Sequence, residues 1–236
     1  MKTKTRQREF GFTNWGGKRR GAGRKPKGER PGVSHAPRAK LAARFPVLVT
    51  MRLLDGLPTL RAKDSYAALQ DAFTAGSKDE FRVVEHSVQS NHLHLMIEAK
   101  DERTLARGMN GLAVRIAKRL NRLRRRVGRV FADRYHARIL RTPSEVRRAL
   151  VYLLQNARKH GAWVARMADV YSSGPMFDGW RRDARGADSS PRLLARGPLA
   201  RAKTWLLAVG WRRFGLIGLL ELPKGAVEPR PASACG

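Results

Sequence analysis

The sequence has 236 residues, of which 42% are hydrophobic, and its 49 Lys and Arg residues outnumber its 19 Asp and Glu residues to give a formal net charge of +30. This hydrophobic content is enough for a substantial core, which excludes a disordered tail, and the charge surplus indicates a polyanionic partner, with nucleic acid ahead of an acidic membrane surface. The single cysteine, Cys235, excludes an internal disulfide framework and a Cys-rich zinc site.

No segment has the character of a membrane span or a secretory signal. The basic N-terminus, MKTKTRQREFGF, lacks the apolar core of a secretory signal. The longest apolar run, residues 205–220, carries Arg212 and Arg213 at its centre and is too short on either side of them to span a bilayer. We therefore expect a cytoplasmic protein with no membrane partner.

Residues 1–44 are predicted to form a basic flexible arm. They contain 14 basic residues and two acidic ones, with few apolar side chains to bury. Within the arm, the stretch GAGRKPKG resembles the Arg-Pro hooks that lie in the DNA minor groove, which makes Arg24 and Lys25 candidate DNA-binding residues. Nonspecific binding of phosphates by a solvated basic tail is the alternative interpretation.

The segment after the arm begins with alternating strand and helix patterns. A first strand is predicted from Phe45 in FPVLVTMRL, and a first helix over residues 63–76, where apolar residues recur at helical spacing. Residues 81–88 form a second predicted strand, which a short polar turn joins to a third strand in residues 90–99. The second and third strands therefore make a hairpin.

The third predicted strand, SNHLHLMIEA, places two imidazoles on one face. Because a strand alternates its faces with period two, His92 and His94 point to one side while Leu93 and Leu95 point to the other. An ordinary exposed sheet face is one interpretation of this pair. A metal site is the other, because neighbouring imidazoles can share one divalent ion when another segment supplies a third ligand.

A long amphipathic helix is predicted over residues 101–127. Its apolar stripe consists of Leu105, Met109, Leu112, Ile116, Leu120, Leu123 and Val127. The opposite side carries Arg115, Arg119, Arg122 and Arg126. A solvated helix normally mixes charges, whereas residues 101–129 hold ten basic residues and two acidic ones, so these arginines are predicted to form a DNA-binding ridge that faces phosphates.

A further strand, residues 131–140, precedes a helix that begins after Thr142 with the start signals of a helix N-terminus. The predicted core face of this helix is Val146, Leu150, Leu153 and Ala157. Tyr152 lies about 200° around the helix from Leu150, and therefore outside that face. The same side as Tyr152 carries Arg148, Asn156 and Lys159, with both cations as candidate DNA contacts. These polar and charged neighbours indicate that Tyr152 has a functional role rather than a packing role.

The order strand, helix, strand, strand, helix, strand, helix predicts an α+β fold with a ferredoxin-like antiparallel sheet and helices packed on one face. Residues 45–160 are predicted to be the catalytic domain. Residues 161–236 are predicted to be a C-terminal extension, with a polar linker followed by the apolar segment, that packs on the domain or contacts DNA.

Two histidines, a tyrosine and an amide together make a coherent centre for nicking DNA. A divalent metal held by His92 and His94 would bind the scissile phosphate as a Lewis acid, and Asn156 could supply a third ligand through its carbonyl oxygen. Because tyrosine has an unperturbed pKa of about 10, it is a poor nucleophile until its phenolate is stabilised, and for Tyr152 the metal and the arginines could do this. The resulting phosphotyrosyl bond suits strand transfer better than hydrolysis.

The motifs resemble a known family, the REP-associated tyrosine transposases of bacteria, which are single-tyrosine transposases of the His-hydrophobic-His endonuclease superfamily. The similar stretches are PVLVTMRL, HSVQSNHLHLMIEA, GRVFADRYHARILRTPSEVRRALVYLLQNARKHG and YSSGPMFDGW. The likeness covers about residues 33–182 and extends less clearly to about residue 217. The sequence departs from the family at Leu48, where many members have histidine, and at Ala157, where the amide is usually followed by proline.

The resemblance implies a metal-dependent endonuclease and strand transferase that cleaves single-stranded DNA at palindromic hairpins, the repetitive extragenic palindromes, in a nucleoid-associated protein. It implies that His92 and His94 bind Mg²⁺ or Mn²⁺ and that Tyr152 forms a 5'-phosphotyrosine. The third ligand would be Asn156 or its neighbour Gln155. The sequence leaves open whether the protein acts as a monomer or a homodimer.

Two other functions fit the same composition. A catalytically inactive protein that binds hairpin DNA, or regulates through it, needs the same positive charge. An RNA-binding protein with an incidental histidine pair is the third reading, and it predicts no dependence on metal.

Overall fold

The structure, a computed structural model, describes residues 39–159, 168–181 and 200–223. The main elements are β1 (Val47–Arg52), α1 (Lys63–Gly76), β2 (Phe81–Val88), β3 (His92–Ala99), α2 (Glu102–Leu123), β4 (His136–Ile139) and α3 (Pro143–Leu154). Two short helices follow, α4 (Asn156–Lys159) and α5 (Trp205–Ala208), together with 3-10 helices at Gly174–Met176 and Gly210–Phe214. The predicted DNA contacts Arg24 and Lys25 lie outside the described residues.

The four strands form one antiparallel sheet in the order β2-β3-β1-β4. With α1 between β1 and β2 and α2 between β3 and β4, this is the ferredoxin-like arrangement, so the predicted α+β fold class is confirmed. Helices α1 and α2 pack together on one face of the sheet, as predicted. Helix α3 covers the opposite face.

The face under α1 and α2 forms the larger apolar core. Val49 of β1 and Leu95 of β3 are fully buried there, and the apolar stripe of α2 is buried from Leu105 to Leu120. The core extends into the segment predicted as the arm, because Leu41 is buried and its N–H donates to the Glu102 carboxylate at 3.1 Å. Ordered packing therefore begins before the predicted domain boundary at residue 45.

Helix α2 ends at Leu123, four residues before its predicted end. The chain turns because Arg125 adopts a left-handed conformation with φ of 47°, and the N–H of Arg126 bonds to the carbonyl of Asn121 instead of continuing the helix. Leu123 and Val127, predicted as part of the buried stripe, are consequently 38% and 90% exposed. That part of the prediction is wrong.

The second apolar core lies between the sheet and α3. Residues of the predicted C-terminal extension complete it, among them Trp180, Leu206 and Trp211. The carboxylate of Glu98, buried on β3, accepts hydrogen bonds from the Arg82 guanidinium and from the backbone and hydroxyl of Thr204, the residue that caps α5. The described residues 200–217 are thereby fixed to the sheet.

Strand β2 contains a bulge that changes which of its residues face each layer. The pairing with β3 shifts between Val83 and Glu85, so Val84 is an extra residue. Beyond the bulge, His86 pairs with Leu95 and faces α1, where its Nε2 lies 2.9 Å from the Tyr66 hydroxyl. No helix within the described ranges is long and apolar enough to cross a membrane.

Candidate active site

Strand β3 carries the histidine pair on the face that α3 covers. The ring centroids of His92 and His94 are 4.9 Å apart, with the ring planes nearly perpendicular. Nδ1 of His94, a buried side chain, lies 2.9 Å from Oγ1 of Thr50 on β1, and Nδ1 of His92 lies 2.9 Å from Oδ1 of Asn91. With the proton on each Nδ1, both rings offer the lone pair of Nε2 as an acceptor or metal ligand.

Tyr152 of α3 reaches the same place. Its Oη lies 3.4 Å from Nε2 of His94, and the two rings contact each other edge to face with centroids 5.1 Å apart. Nζ of Lys159 lies 5.4 Å from the Tyr152 ring centroid. Burial raises the pKa of the Tyr152 phenol, so forming a phenolate requires nearby positive charge. Residues 58 positions apart in the sequence thus meet at one point.

The orientation of Tyr152 follows from how α3 begins and packs. Thr142 and Glu145 form a capping box, in which the Thr142 hydroxyl accepts from the Glu145 N–H and the Glu145 carboxylate accepts from the Thr142 N–H, and Pro143 fills the first turn. The predicted core face of α3, including Val146 and Leu150, is buried against the sheet. Tyr152, outside that face, is half-buried at its edge.

The two amides after Tyr152 have different surroundings. Nε2 of Gln155 donates to the carbonyls of Gly218 and Leu219, and its Oε1 accepts from Arg158, so this side chain is occupied in holding the end of α3 to the C-terminal segment. The Asn156 amide is completely buried, and neither its Oδ1 nor its Nδ2 has a hydrogen-bond partner within the described part of the chain. A buried amide left unpaired costs about 1–3 kcal/mol, which makes Asn156 the better candidate ligand.

A third histidine lies on the same face, and the sequence analysis did not assign it a role. The sheet pairs Ser87 with His94, His94 with Thr50, and Thr50 with His136, so these four residues form one row across the strands. His136 is exposed. The alternation of His136 and Arg138 in β4 could have indicated that both point to one face of the sheet. The sequence alone could not show that β4 pairs with β1 and so brings His136 into the row of His94.

A cleft opens beside Tyr152 between β4, α3 and the C-terminal segment. Its lining includes Thr50, His136, Arg138, Arg147, Arg148, Tyr152 and Glu221. Arg147 is neutralised by Glu221 through two hydrogen bonds of 2.7 and 2.9 Å, whereas Arg148 is exposed and has no ion-pair partner among the residues described. The predicted DNA contacts Arg148 and Lys159 therefore lie close to Tyr152.

The arginine ridge predicted on α2 lies elsewhere. Since α2 packs on the opposite face of the sheet, Arg115, Arg119 and Arg122 are separated from Tyr152 by the sheet. Arg126 lies beyond the helix, and its guanidinium bonds to Oδ1 of Asn121 and the carbonyl of Arg129, closing the turn. The ridge can contact only DNA that extends around the molecule, away from the histidine pair.

Comparisons with known proteins add a structural likeness. No protein-family model and no curated protein matches the chain. A solved structure described as a REP-associated tyrosine transposase bound to a REP hairpin is similar over 59% of this chain and 82% of its own, with 17% sequence identity and a TM-score of 0.47.

Proposed function

We propose that this protein is a metal-dependent endonuclease and strand transferase that cleaves single-stranded DNA beside palindromic hairpins through a phosphotyrosine at Tyr152. The observation that carries the proposal is the 3.4 Å approach of Oη of Tyr152 to Nε2 of His94, at the rim of a cleft that contains unpaired positive charge. A tyrosine used only for packing needs neither an imidazole partner nor such a cleft.

In the proposed reaction, Oη of Tyr152 attacks the phosphorus atom and a new bond joins the tyrosine to the 5' side of the break. The bond from phosphorus to the 3' oxygen breaks, and that oxygen leaves as a hydroxyl, so the proton that the Tyr152 phenol gives up to solvent balances the proton that the leaving oxygen takes up. Attack by a 3' hydroxyl on the phosphotyrosine reverses the steps and joins strands. Arg148, which lines the cleft, and Lys159, whose Nζ lies 5.4 Å from the Tyr152 ring centroid, would bind phosphates and stabilise the phenolate.

The residues present fit a divalent metal. His92 and His94 would hold it together with the unpaired amide of Asn156, since no group of three His, Cys, Asp or Glu side chains within the described residues could hold a metal by itself. When bound, the ion would polarise the phosphate as a Lewis acid. A donor set of imidazole nitrogens and one amide oxygen favours Mn²⁺ over Mg²⁺, because Mg²⁺ is bound mainly by oxygen ligands.

The test is covalent capture of the DNA. The purified protein is incubated with a labelled single-stranded hairpin oligonucleotide and Mn²⁺, and a denaturing gel is used to detect a protein–DNA adduct. Wild type is expected to form the adduct, and Tyr152→Phe is expected to form none, because the nucleophilic oxygen is missing. Tyr171→Phe is the matched control, since Tyr171 lies beside β2 and contacts Arg61 and Tyr66 through its ring.

Chelation of the metal separates the proposed enzyme from the other functions. EDTA is expected to abolish the adduct while DNA binding persists. An adduct that forms equally well with Tyr152→Phe would exclude Tyr152 as the nucleophile. Hairpin binding without any adduct in the presence of Mn²⁺ or Mg²⁺ would favour the catalytically inactive DNA-binding protein.

A further inference from the structure

The described C-terminal segment exposes an unusual amount of apolar surface. Of the nine large hydrophobic side chains exposed in the described part of the protein, five lie between residues 205 and 220. Two of these are aromatic, Trp205 at 51% exposure and Phe214 at 57%. Aromatic side chains of this size are normally buried, and a concentrated exposed group marks a binding surface.

The Trp205 ring is held in a fixed position although half of it is exposed. It packs so closely on Gly210 that a Cβ atom added there would lie 2.7 Å from the ring. The neighbouring residues Leu206, Leu207 and Trp211 are buried in the second core and anchor the segment. A rigid, half-exposed ring can bind a flat ligand without losing side-chain entropy.

One cation lies beside this ring. The guanidinium of Arg213 lies 5.1 Å from the Trp205 ring centroid, and Arg213 is exposed with no ion-pair partner among the described residues. Arg212, its neighbour, pairs with Asp178 at 2.8 Å. Residues 200–223 contain four cations and one carboxylate, and that carboxylate is bound by Arg147. The segment therefore combines an exposed aromatic ring with a cation that contacts the ring and has no ion-pair partner among the described residues.

We propose that Trp205, Val209, Arg213 and Phe214, here called the Trp205 patch, bind unpaired nucleotides of single-stranded DNA. A base stacks on the exposed side of Trp205, and Arg213 binds a neighbouring phosphate. The inference rests on the proposed function for the identity of the polyanion, but the patch is separate from Tyr152. A second copy of this chain is disfavoured as the occupant because two proteins of formal charge +30 repel each other.

The patch is connected to the candidate active site through the chain itself. Seven residues after Phe214, the segment reaches Glu221, which lines the cleft beside Tyr152. Single-stranded DNA that leaves the cleft can follow this segment to the Trp205 patch. We therefore expect the patch to increase affinity for the unpaired strand flanking a hairpin, with no contribution to the chemical step.

The test measures binding of a fluorescently labelled oligothymidine by anisotropy. Trp205→Ala is expected to weaken binding about 10-fold, the usual loss for one stacked base, while Trp205→Phe retains most of the affinity. Arg213→Gln is expected to reduce the slope of log affinity against log salt by about 0.7, the value for one phosphate contact on a single strand. Val114→Ala is the matched control, because Val114 is 52% exposed on α2.

Two further measurements keep this inference distinct from the proposed function. At saturating DNA, Trp205→Ala is expected to form the Tyr152 adduct at the wild-type rate. If neither the wild type nor any variant forms an adduct but Trp205→Ala still weakens DNA binding, the Trp205 patch is supported and the proposed function fails. Unchanged binding by Trp205→Ala and Phe214→Ala, or a dimer in sedimentation that only Trp205→Ala disrupts, would overturn the patch as a DNA site.

Discussion

The two faces of the sheet differ in composition although the same strands supply both. The α1 and α2 face is filled almost entirely by buried apolar residues such as Val49 and Leu95, with His86 as a buried exception. The α3 face is divided, because Met96 belongs to an apolar core while His94 and Thr50 of the next row form a polar cluster beside Tyr152. Met96 and His94, neighbours on the same face of β3, thus serve packing and the polar site respectively.

This difference teaches how a small domain can hold a costly polar site. Burying imidazoles and a phenol contributes little to stability, because each hydrogen bond formed replaces one to water. The face under α1 and α2 supplies the hydrophobic stabilisation instead. Stability and chemistry are therefore expected to respond to different substitutions.

The sharpest test compares alanine substitutions at two neighbouring residues of β3 that face opposite sides of the sheet. His94→Ala is expected to reduce adduct formation about 100- to 1,000-fold, the usual cost of losing a group that stabilises charge at the reacting atoms, with a smaller effect on stability. Leu95→Ala, its matched control on the other face, is expected to lower the free energy of unfolding by about 3 kcal/mol and to leave the adduct rate per folded molecule unchanged. Denaturant titration and denaturing gels measure the two effects. Equal loss of activity in both variants would contradict the division between the faces.

The pH dependence of stability tests the buried exception on the α1 and α2 face. Burial lowers the pKa of His86 to about 3, whereas an unfolded histidine takes up a proton near pH 6.5. The contribution of neutral His86 is therefore fully present above pH 6.5 and is lost as the pH falls towards 3. Between pH 7 and pH 4 this residue is expected to cost the folded state about 3 kcal/mol.

His86→Leu is expected to remove that part of the pH dependence, as measured by denaturant titrations at pH 4 and pH 7. His136→Leu, which changes an exposed histidine on the opposite face, serves as the control. Its free energy of unfolding should change between pH 4 and pH 7 by the same amount as that of the wild type. A wild-type slope in His86→Leu would show that other groups govern the acid sensitivity.

The smallest expected effect concerns the hydroxyl that orients His94. Thr50→Val preserves the shape of the side chain but removes the partner of Nδ1, so adduct formation is expected to fall about 10-fold, with the effect strongest at low metal concentration. Thr74→Val, an exposed residue of α1, is the control. The rate of adduct formation at several Mn²⁺ concentrations is the measurement. An unchanged rate would mean that packing alone orients the imidazole.

Much of the fold could be predicted from local patterns. The alternation in β3, the apolar spacing in α2 and the start signals at Thr142 depend on neighbouring residues, and each is present in the structure. The end of α2 was missed because apolar spacing continues through Val127, while the turn depends on a left-handed Arg125 that has no sequence signature.

The candidate site was only partly accessible from the sequence. Periodicity showed that Tyr152 leaves the core face of α3. It could not show which face of the sheet each helix covers, and therefore could not show that the arginines of α2 lie across the sheet from Tyr152. Likewise, His136 joins the row of His94 only through the pairing of β1 with β4. Such relations arise from long-range packing, which single-sequence patterns do not encode.

The bulge at Val84 has a consequence for how the length of β2 can change during evolution. Val84 is the extra residue of the bulge, so deleting it would leave a regular ladder in which His86 still pairs with Leu95 and faces α1. A single-codon deletion at this position would thus keep His86 and Ser87 on their present sides of the sheet. Natural variation of β2 by one residue is therefore expected to occur at the bulge, where it moves no side chain between the apolar core and the reaction centre.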